Sequence, residues 1–358
     1  MISFELSEEQ KIIQSTLSEF GKTVMRPETR RLDTESKIDD KMLEALWSTG
    51  VVQTQADADG DRSSVTNAII LEELGAADAA LAVALAAPMG FAQAIAEQGS
   101  AKQRELLDAF AGDTFQAAAI ALMEPAFAGD VSKLATKAVR SGDSYTLNGV
   151  KGMVPLAGRC NYFLVIADAG GAADAFIVPA NAAGVTIGAA KSTLGLRAAE
   201  LADVKFDNVK VPAAMRLGEG NGADIQKIVD SARVGLASIM AGVSRGVMEY
   251  VIPYTKDRVV HGTALAQKQT IAFNIADMHL NIEAMRWMNW LAAWELEAKR
   301  PATKSAQLAY TYASKEAMTI ADNGVQAMGG HGFVRAHPME LWYRNTRALS
   351  VLEGAIGV

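Results

Sequence analysis

The sequence predicts an α+β multidomain protein. It would comprise an all-α N-terminal domain over residues 1–115, a central β-barrel domain over 116–215, and a C-terminal domain over 216–358 built like a four-helix bundle. Three observations carry this. Apolar residues recur at helical spacing up to about residue 115. The texture then changes to short strand-like runs separated by turn signals. From Gly222 onward the helical period returns in patterns far longer than an average globular helix. At 358 residues the chain is too long for one ordinary core and suits two or three packed domains.

In the first region Ser7 and Gln10 form a capping-box pattern, and Ile12, Ile13, Leu17 and Phe20 follow at helical spacing. A second amphipathic pattern runs through Met42, Leu43, Leu46 and Trp47 to a stop at Gly50. A third runs from Val65 through Ile69, Ile70 and Leu74 to Gly75. The alanine-rich run Ala79–Ala92 is too short to span a bilayer and reads as a buried helix that breaks at Pro88. Leu106, Leu107 and Phe110 close one more helix before Gly112.

Strand-like runs follow at 118–123, 136–140, 144–147, 162–167, 175–178, 185–188 and 201–204. Ser141-Gly142-Asp143, Asn148-Gly149, Gly170-Gly171 and Asn181 separate them, and Pro212 ends the set; such punctuation suits a compact barrel or sandwich. Three long helical patterns over 225–258, 266–300 and 302–328, together with the tail, suit an antiparallel bundle.

Half the residues are apolar, enough for a large core. A net charge of -7 with no block of Lys or Arg argues against nucleic acid as a partner, because phosphate contacts dominate that affinity. Cys160 is the only cysteine, so no internal disulfide framework forms, and no Cys/His cluster suggests a metal. The first twenty residues hold four acidic side chains and no apolar run of the signal-peptide kind. A cytoplasmic protein without membrane attachment is the expectation.

The stretch that bears most on chemistry is the tail. Gln326, Gly329, Gly330 and Gly332 form a glycine-rich run, and Glu353-Gly354 follows about twenty residues later. Glycines let backbone N–H groups approach a bulky anion or ring closely, so a cofactor grip beside a base is one reading. A plain turn and a solvated terminal carboxylate are the other.

Upstream motifs agree with the first reading. Met123-Glu124-Pro125-Ala126-Phe127-Ala128-Gly129-Asp130 resembles the Thr-Glu-Pro-Gly-Ala-Gly-Ser-Asp flavin loop of the acyl-CoA dehydrogenases. Tyr145 to Lys151 matches that family's Tyr-x-x-Asn-Gly-x-Lys hairpin. Arg258 to Gly262, with Gln267, Gln269 and Ala276-Asp277-Met278, resembles its Arg-x-x-Phe-Gly...Gln...Ala-Asp-Met signature. The tail follows its pattern Gln-x-x-Gly-Gly-x-Gly-Phe...Arg-Asp...Glu-Gly-Thr. The resemblance covers essentially the whole chain and gives the same domain order.

It implies an FAD-dependent dehydrogenase that removes the α proton of an acyl-CoA thioester while the β hydrogen leaves as hydride to flavin N5, giving a trans-2-enoyl-CoA. It places Glu353 as the base and Arg233 and Gly354 at the substrate. Alanine stands at the bundle-helix position, within Asp230-Ser231-Ala232-Arg233, where some relatives carry the base instead. Leu352 and the aromatic residues of the tail would surround Glu353 with apolar groups and raise its pKa toward working pH. Without the resemblance, Arg233 reads as a bundle-surface ion-pair partner.

Cofactor contacts would come from Met123, Gly129, Met153, Val154, Pro155, Arg258, Gln269, Gln326, Gly329 and Gly330. Arg258 would offer its planar fork to the FAD pyrophosphate of a neighbouring subunit, which implies an oligomer. An electron-transfer flavoprotein is the implied electron acceptor, and lipid degradation the implied setting. The Met285, Trp287, Met288, Trp290 and Trp294 stripe reads as core or interface packing.

The pattern also departs from the family. Met123 and Gly129 replace a threonine and a serine, Met153-Val154-Pro155 replaces Trp-Ile-Thr, Ala355-Ile356-Gly357 replaces Thr-Ser-Gln, and Asn345 replaces an aspartate. A retained base with thinned flavin contacts leaves an alternative: a non-catalytic or half-site subunit of a heteromer whose paralogous partner completes the flavin site. An oxidase on the same fold is the third reading.

Overall fold

The computed structural model describes residues 5–57, 60, 62–126, 130–354 and 357. Its first region is helical: α1 (Glu8–Phe20), α2 (Thr29–Glu35), α3 (Asp40–Trp47), α4 (Val51–Ala56), α5 (Ser64–Ala77), α6 (Ala79–Gln98), α7 (Ala101–Arg104) and α8 (Asp108–Ala111). The Ser7 hydroxyl accepts the Gln10 amide N–H and the Gln10 side chain accepts the Ser7 N–H, closing the predicted capping box at the start of α1.

Helix α6 does not break at Pro88 but runs through it. An internal proline costs a helix about 3 kcal/mol. Every residue from Ala79 to Ala96 is buried, and that burial outweighs the local cost. Among the described residues this helix is the one long and apolar enough to cross a membrane, and its apolar window lies wholly inside the protein. The single helix expected around Leu106 is instead two one-turn helices joined by a tighter turn.

The central region is one seven-stranded sheet, a half-barrel of β1 (Ala118–Ala121), β2 (Lys137–Ser141), β3 (Ser144–Val154), β4 (Tyr162–Asp168), β5 (Ala173–Pro179), β6 (Val185–Ile187) and β7 (Ala202–Pro212). Strand β4 pairs antiparallel with β5 and parallel with β1 and the start of β2. Strand β3 joins β2 to β7, and β7 carries β6. The β3–β7 register shifts between Lys151 and Val154, where Met153 adopts φ +56°.

The last region holds α9 (Ile225–Asp257), the small hairpin β8 (Val259–Val260) and β9 (Thr263–Ala264), α10 (Gln269–Glu297), α11 (Thr303–Met328) and α12 (Met339–Leu349). Glycines set how closely the two helical regions approach. A Cβ on Gly242 of α9 would stand 2.0 Å from the Glu72 carbonyl oxygen of α5, and one on Gly75 would stand 2.6 Å from that of Ile239. Arg245 and Arg286 reach the α5 carboxylates, Arg245 bridging to Glu73 at 2.6 Å and Arg286 to Glu72 at 2.6 Å. One face of α10 stays uncovered in the single chain, with Phe273, Leu280, Trp287, Leu291 and Trp294 all exposed.

Candidate active site

Past α12 the chain turns back against the sheet and α9. Gly354 makes that path possible. Its φ is +65°, and a Cβ there would lie 2.1 Å from Leu122 Cδ2, so the backbone rests directly on the end of β1. Tyr310 of α11 pins the residue two before Gly354 by donating its hydroxyl to the Leu352 carbonyl at 2.5 Å. The Glu353 N–H points at Met123 Sδ, 3.2 Å away. Burial first, and the nearby Glu353 charge second, push the Tyr310 phenol up to about 12.

This path carries the Glu353 side chain inward, where it is 15% exposed. Its Oε1 accepts from Arg233 Nε at 2.7 Å and sits 2.5 Å from Nη2. Arg233 itself is buried, so it is no surface arginine. The expected apolar setting holds for Leu352, which is fully buried, and not for the carboxylate, which meets a guanidinium. The resemblance sets Arg233 near the base and substrate; no local rule of sequence pairs it with Glu353, because 120 residues separate the partners. One turn of α9 earlier, Asp230 accepts from Gln226 Nε2 at 2.7 Å and from the Thr303 hydroxyl at 2.6 Å. These bonds tie the start of α9 to α11.

The structure therefore brings Met123, Arg233, Glu353 and Gly354 together. Met153, Val154 and Pro155 form the bulged end of β3, with Val154 and Pro155 buried and Met153 half-buried. Gly129 lies outside the described residues. The loop before it is anchored by a buried ion pair: Lys151 Nζ donates to Glu124 Oε1 at 2.7 Å and to the Leu122 carbonyl at 3.0 Å. The Ala135 and Thr136 N–H groups complete the Glu124 carboxylate at 2.7 and 2.9 Å. Both residues belong to recognised motifs, yet only the fold shows that they pair.

Arg258, Gln269, Gln326, Gly329 and Gly330 are not part of this cluster. All five are exposed near the far ends of α9 and α11, and open space surrounds an added Cβ on either glycine. Arg258 follows Arg233 by 25 residues along α9, a rise of roughly 37 Å at 1.5 Å per residue. Within one chain the two groups stand too far apart to serve opposite ends of one small ligand.

A cleft of about 280 Å³ opens beside the start of α9, lined among others by Arg62, Arg104, Lys227 and Lys299, with Gln93 and Ser231. Gln93 and Ser231 also line a void of about 10 Å³, room for one water, that touches Gly357 and Ile120.

Three family models match in order along the chain: the acyl-CoA dehydrogenase N-terminal domain over residues 7–111, the middle domain over 119–209 and the C-terminal domain over 220–358. The mitochondrial short/branched chain specific acyl-CoA dehydrogenase of Bos taurus is 29% identical over 98% of this chain and 84% of its own. The caffeyl-CoA reductase-Etf complex subunit CarC of Acetobacterium woodii is 35% identical over 66% of this chain and 64% of its own. Butyryl-CoA dehydrogenase from Megasphaera elsdenii superposes with a TM-score of 0.89 at 28% identity, covering 98% of this chain and 95% of that one. With three models in sequence order over one matching architecture, the chain belongs to the acyl-CoA dehydrogenase family of oxidoreductases.

Proposed function

We propose that the protein dehydrogenates an acyl-CoA thioester between its α and β carbons, with Glu353 taking the α proton. The observation that carries this reading is the inward carboxylate held by Arg233 on a tail that only glycine at 354 could seat against Leu122. Both guanidinium contacts go to Oε1, which leaves Oε2 as the oxygen to receive a proton. Arg233 orients the base. The neighbouring cleft sets Arg62, Arg104, Lys227 and Lys299 against Glu97 and Glu297, a net positive lining that suits the phosphates of a CoA ester.

FAD is the cofactor this reading requires, and the donor set fits its anionic half. Arg258 presents an exposed guanidinium, and Gly329 and Gly330 present backbone with open space above it. Since Arg258 stands far from Arg233 on the same helix, the grip on any one cofactor would combine groups from two copies of the chain. When bound, the flavin supplies the acceptor for the β hydrogen. The chain's own part is to hold the thioester, exclude water and remove the α proton. An electron-transfer flavoprotein would take the electrons onward, in line with the Etf complex named for the Acetobacterium woodii relative.

The deciding experiment is the visible spectrum of the purified protein before and after a panel of acyl-CoAs. Flavin absorbance that bleaches with substrate is the expected result; colourless protein that takes up no added FAD would overturn it. A second reading, a half-site subunit completed by a paralogous partner, draws on Met123 and Pro155. The Met123 sulfur is already engaged by the tail, and proline offers no N–H to a ring. A stable flavin-loaded assembly of this chain alone counts against that reading.

A further inference from the structure

A second cavity, of about 270 Å³, lies away from Glu353 where the segment leading into α2 meets α9 and the start of α12. Its wall is mainly carbon, from Ala77, Pro338, Leu341 and Trp342, with Tyr250 and His337 beside them. Every formally charged side chain in its lining is a guanidinium, Arg26, Arg30 or Arg335, and no carboxylate is among them.

The three arginines differ in how far they are already satisfied. Arg30 pairs with Glu340 and donates to the His337 carbonyl at 3.0 Å, so it braces the wall. Arg26 gives Nη2 to the Ala76 carbonyl at 2.9 Å and has Glu249 only at 3.8 Å; its Nε is buried with no partner among the described residues. Its guanidinium lies over the Trp342 ring, 5.6 Å from the centroid. Arg335 is exposed and has no hydrogen bond or ion pair among the described residues. His337 spends Nδ1 on the Tyr250 hydroxyl at 2.8 Å. The Arg26 Nε is out of reach of the cavity, so a ligand there meets the exposed remainder of the Arg26 guanidinium and the unpaired fork of Arg335. Burial is the largest influence on the Arg26 pKa and lowers it, as expected of an underpaired cation.

We propose that this cavity binds a small carboxylate with an apolar, ring-sized body. The carboxylate takes donors from Arg26 and Arg335, and the body lies against Trp342, Leu341 and Pro338. Oxygen acceptors suit the unpaired Arg335 fork and the exposed part of Arg26, and the carbon wall favours a ligand with an apolar body over one that is only a charge. The site does not depend on the flavin reading.

Titration calorimetry on the purified full chain tests this, with 2-naphthoate as probe, 2-naphthalenemethanol as its neutral counterpart and acetate as charge without body. Expected is saturable binding of one naphthoate per chain. The alcohol and acetate should each bind at least tenfold more weakly, and affinity should fall at least tenfold in Arg335→Ala. Arg335 is exposed, so that variant keeps its thermal midpoint; Arg26→Gln should show the same loss. Saturating acyl-CoA should leave the naphthoate affinity unchanged. The proposal is overturned by no saturable binding, by equal binding of the alcohol, by unchanged affinity in Arg335→Ala, or by displacement with acyl-CoA.

Discussion

At the scale of single residues, the glycine sets the path of the tail and Arg233 holds the Glu353 carboxylate, so on the proposed reading Glu353, Arg233 and Gly354 would act as one unit with the glutamate as base. Glu353→Gln keeps shape and loses the base. It should still bind acyl-CoA but exchange the α proton with deuterated solvent about a hundred- to ten-thousandfold more slowly. Mass spectrometry of recovered acyl-CoA reads that rate, and near-normal exchange would move the base elsewhere. Gly354→Ala is a harsher change. It forces an L residue to φ +65° and drives its Cβ into Leu122, for a strain of about 1–3 kcal/mol. The tail should lift, thermal stability should fall, and turnover should be largely lost. Adding Leu122→Ala removes the contacts at 2.1 and 2.9 Å and leaves Cβ at 2.8 Å, so it should restore part of both; a double variant no better than the single one would place the fault in the backbone and that remaining contact.

At the scale of elements, the flavin-loop motif and the Asn-Gly hairpin are one structure joined by Lys151 and Glu124. Burial pushes the Lys151 ammonium down to about 8, against the pull of Glu124, so it stays charged at neutral pH. Burial would raise Glu124, but the hydrogen bond and charge of Lys151, with the bonds from Thr136, outweigh it and hold the carboxyl below its usual 4.5. Stability from Glu124 is therefore present above pH 4.5 and lost as pH falls through its lower folded value. The stability gap between wild type and Glu124→Gln should narrow in acid; a gap that is flat from pH 7 to 3 would deny the linkage. Lys151→Met leaves Glu124 buried and unpaired, a loss of about 3–5 kcal/mol. Lys151→Met with Glu124→Gln should be less damaged than Lys151→Met, which denaturant melts can show. The sequence made the parts of this pair visible as motif letters but not their contact, because no local rule links positions 27 apart across a sheet. Signals whose physics is local were legible: the Ser7 box, and three long helices found at 225–257, 269–297 and 303–328. Pro88 misled because its local cost is repaid by burial that no window of sequence displays. Helix α12 went unmarked although Met339, Trp342, Thr346 and Leu349 recur at helical spacing and are all buried.

At the scale of the whole molecule, two observations point to more than one copy. The exposed stripe of Phe273, Leu280, Trp287, Leu291 and Trp294 repeats along one face of α10, which is costly for a lone chain to leave in water. Arg258 and Arg233 face different ends of α9, so a cofactor held by Arg258 would meet the Glu353 of another copy. Trp287→Glu with Leu291→Glu should shift the protein toward monomer in sedimentation and weaken flavin retention in the same step. Mixing separates a shared site from a self-contained one. Arg258→Ala alone should lose flavin grip, and Glu353→Gln alone should lose proton abstraction. Refolded together at equal amounts, half the random pairs are mixed, and each mixed pair joins an intact Glu353 to an intact Arg258 at one of its two sites. Activity should return to roughly a quarter of wild type. If each chain built its own site, every site in the mixture would carry one lesion and no activity would return, so the recovered fraction decides whether the catalytic unit is the chain or the pair.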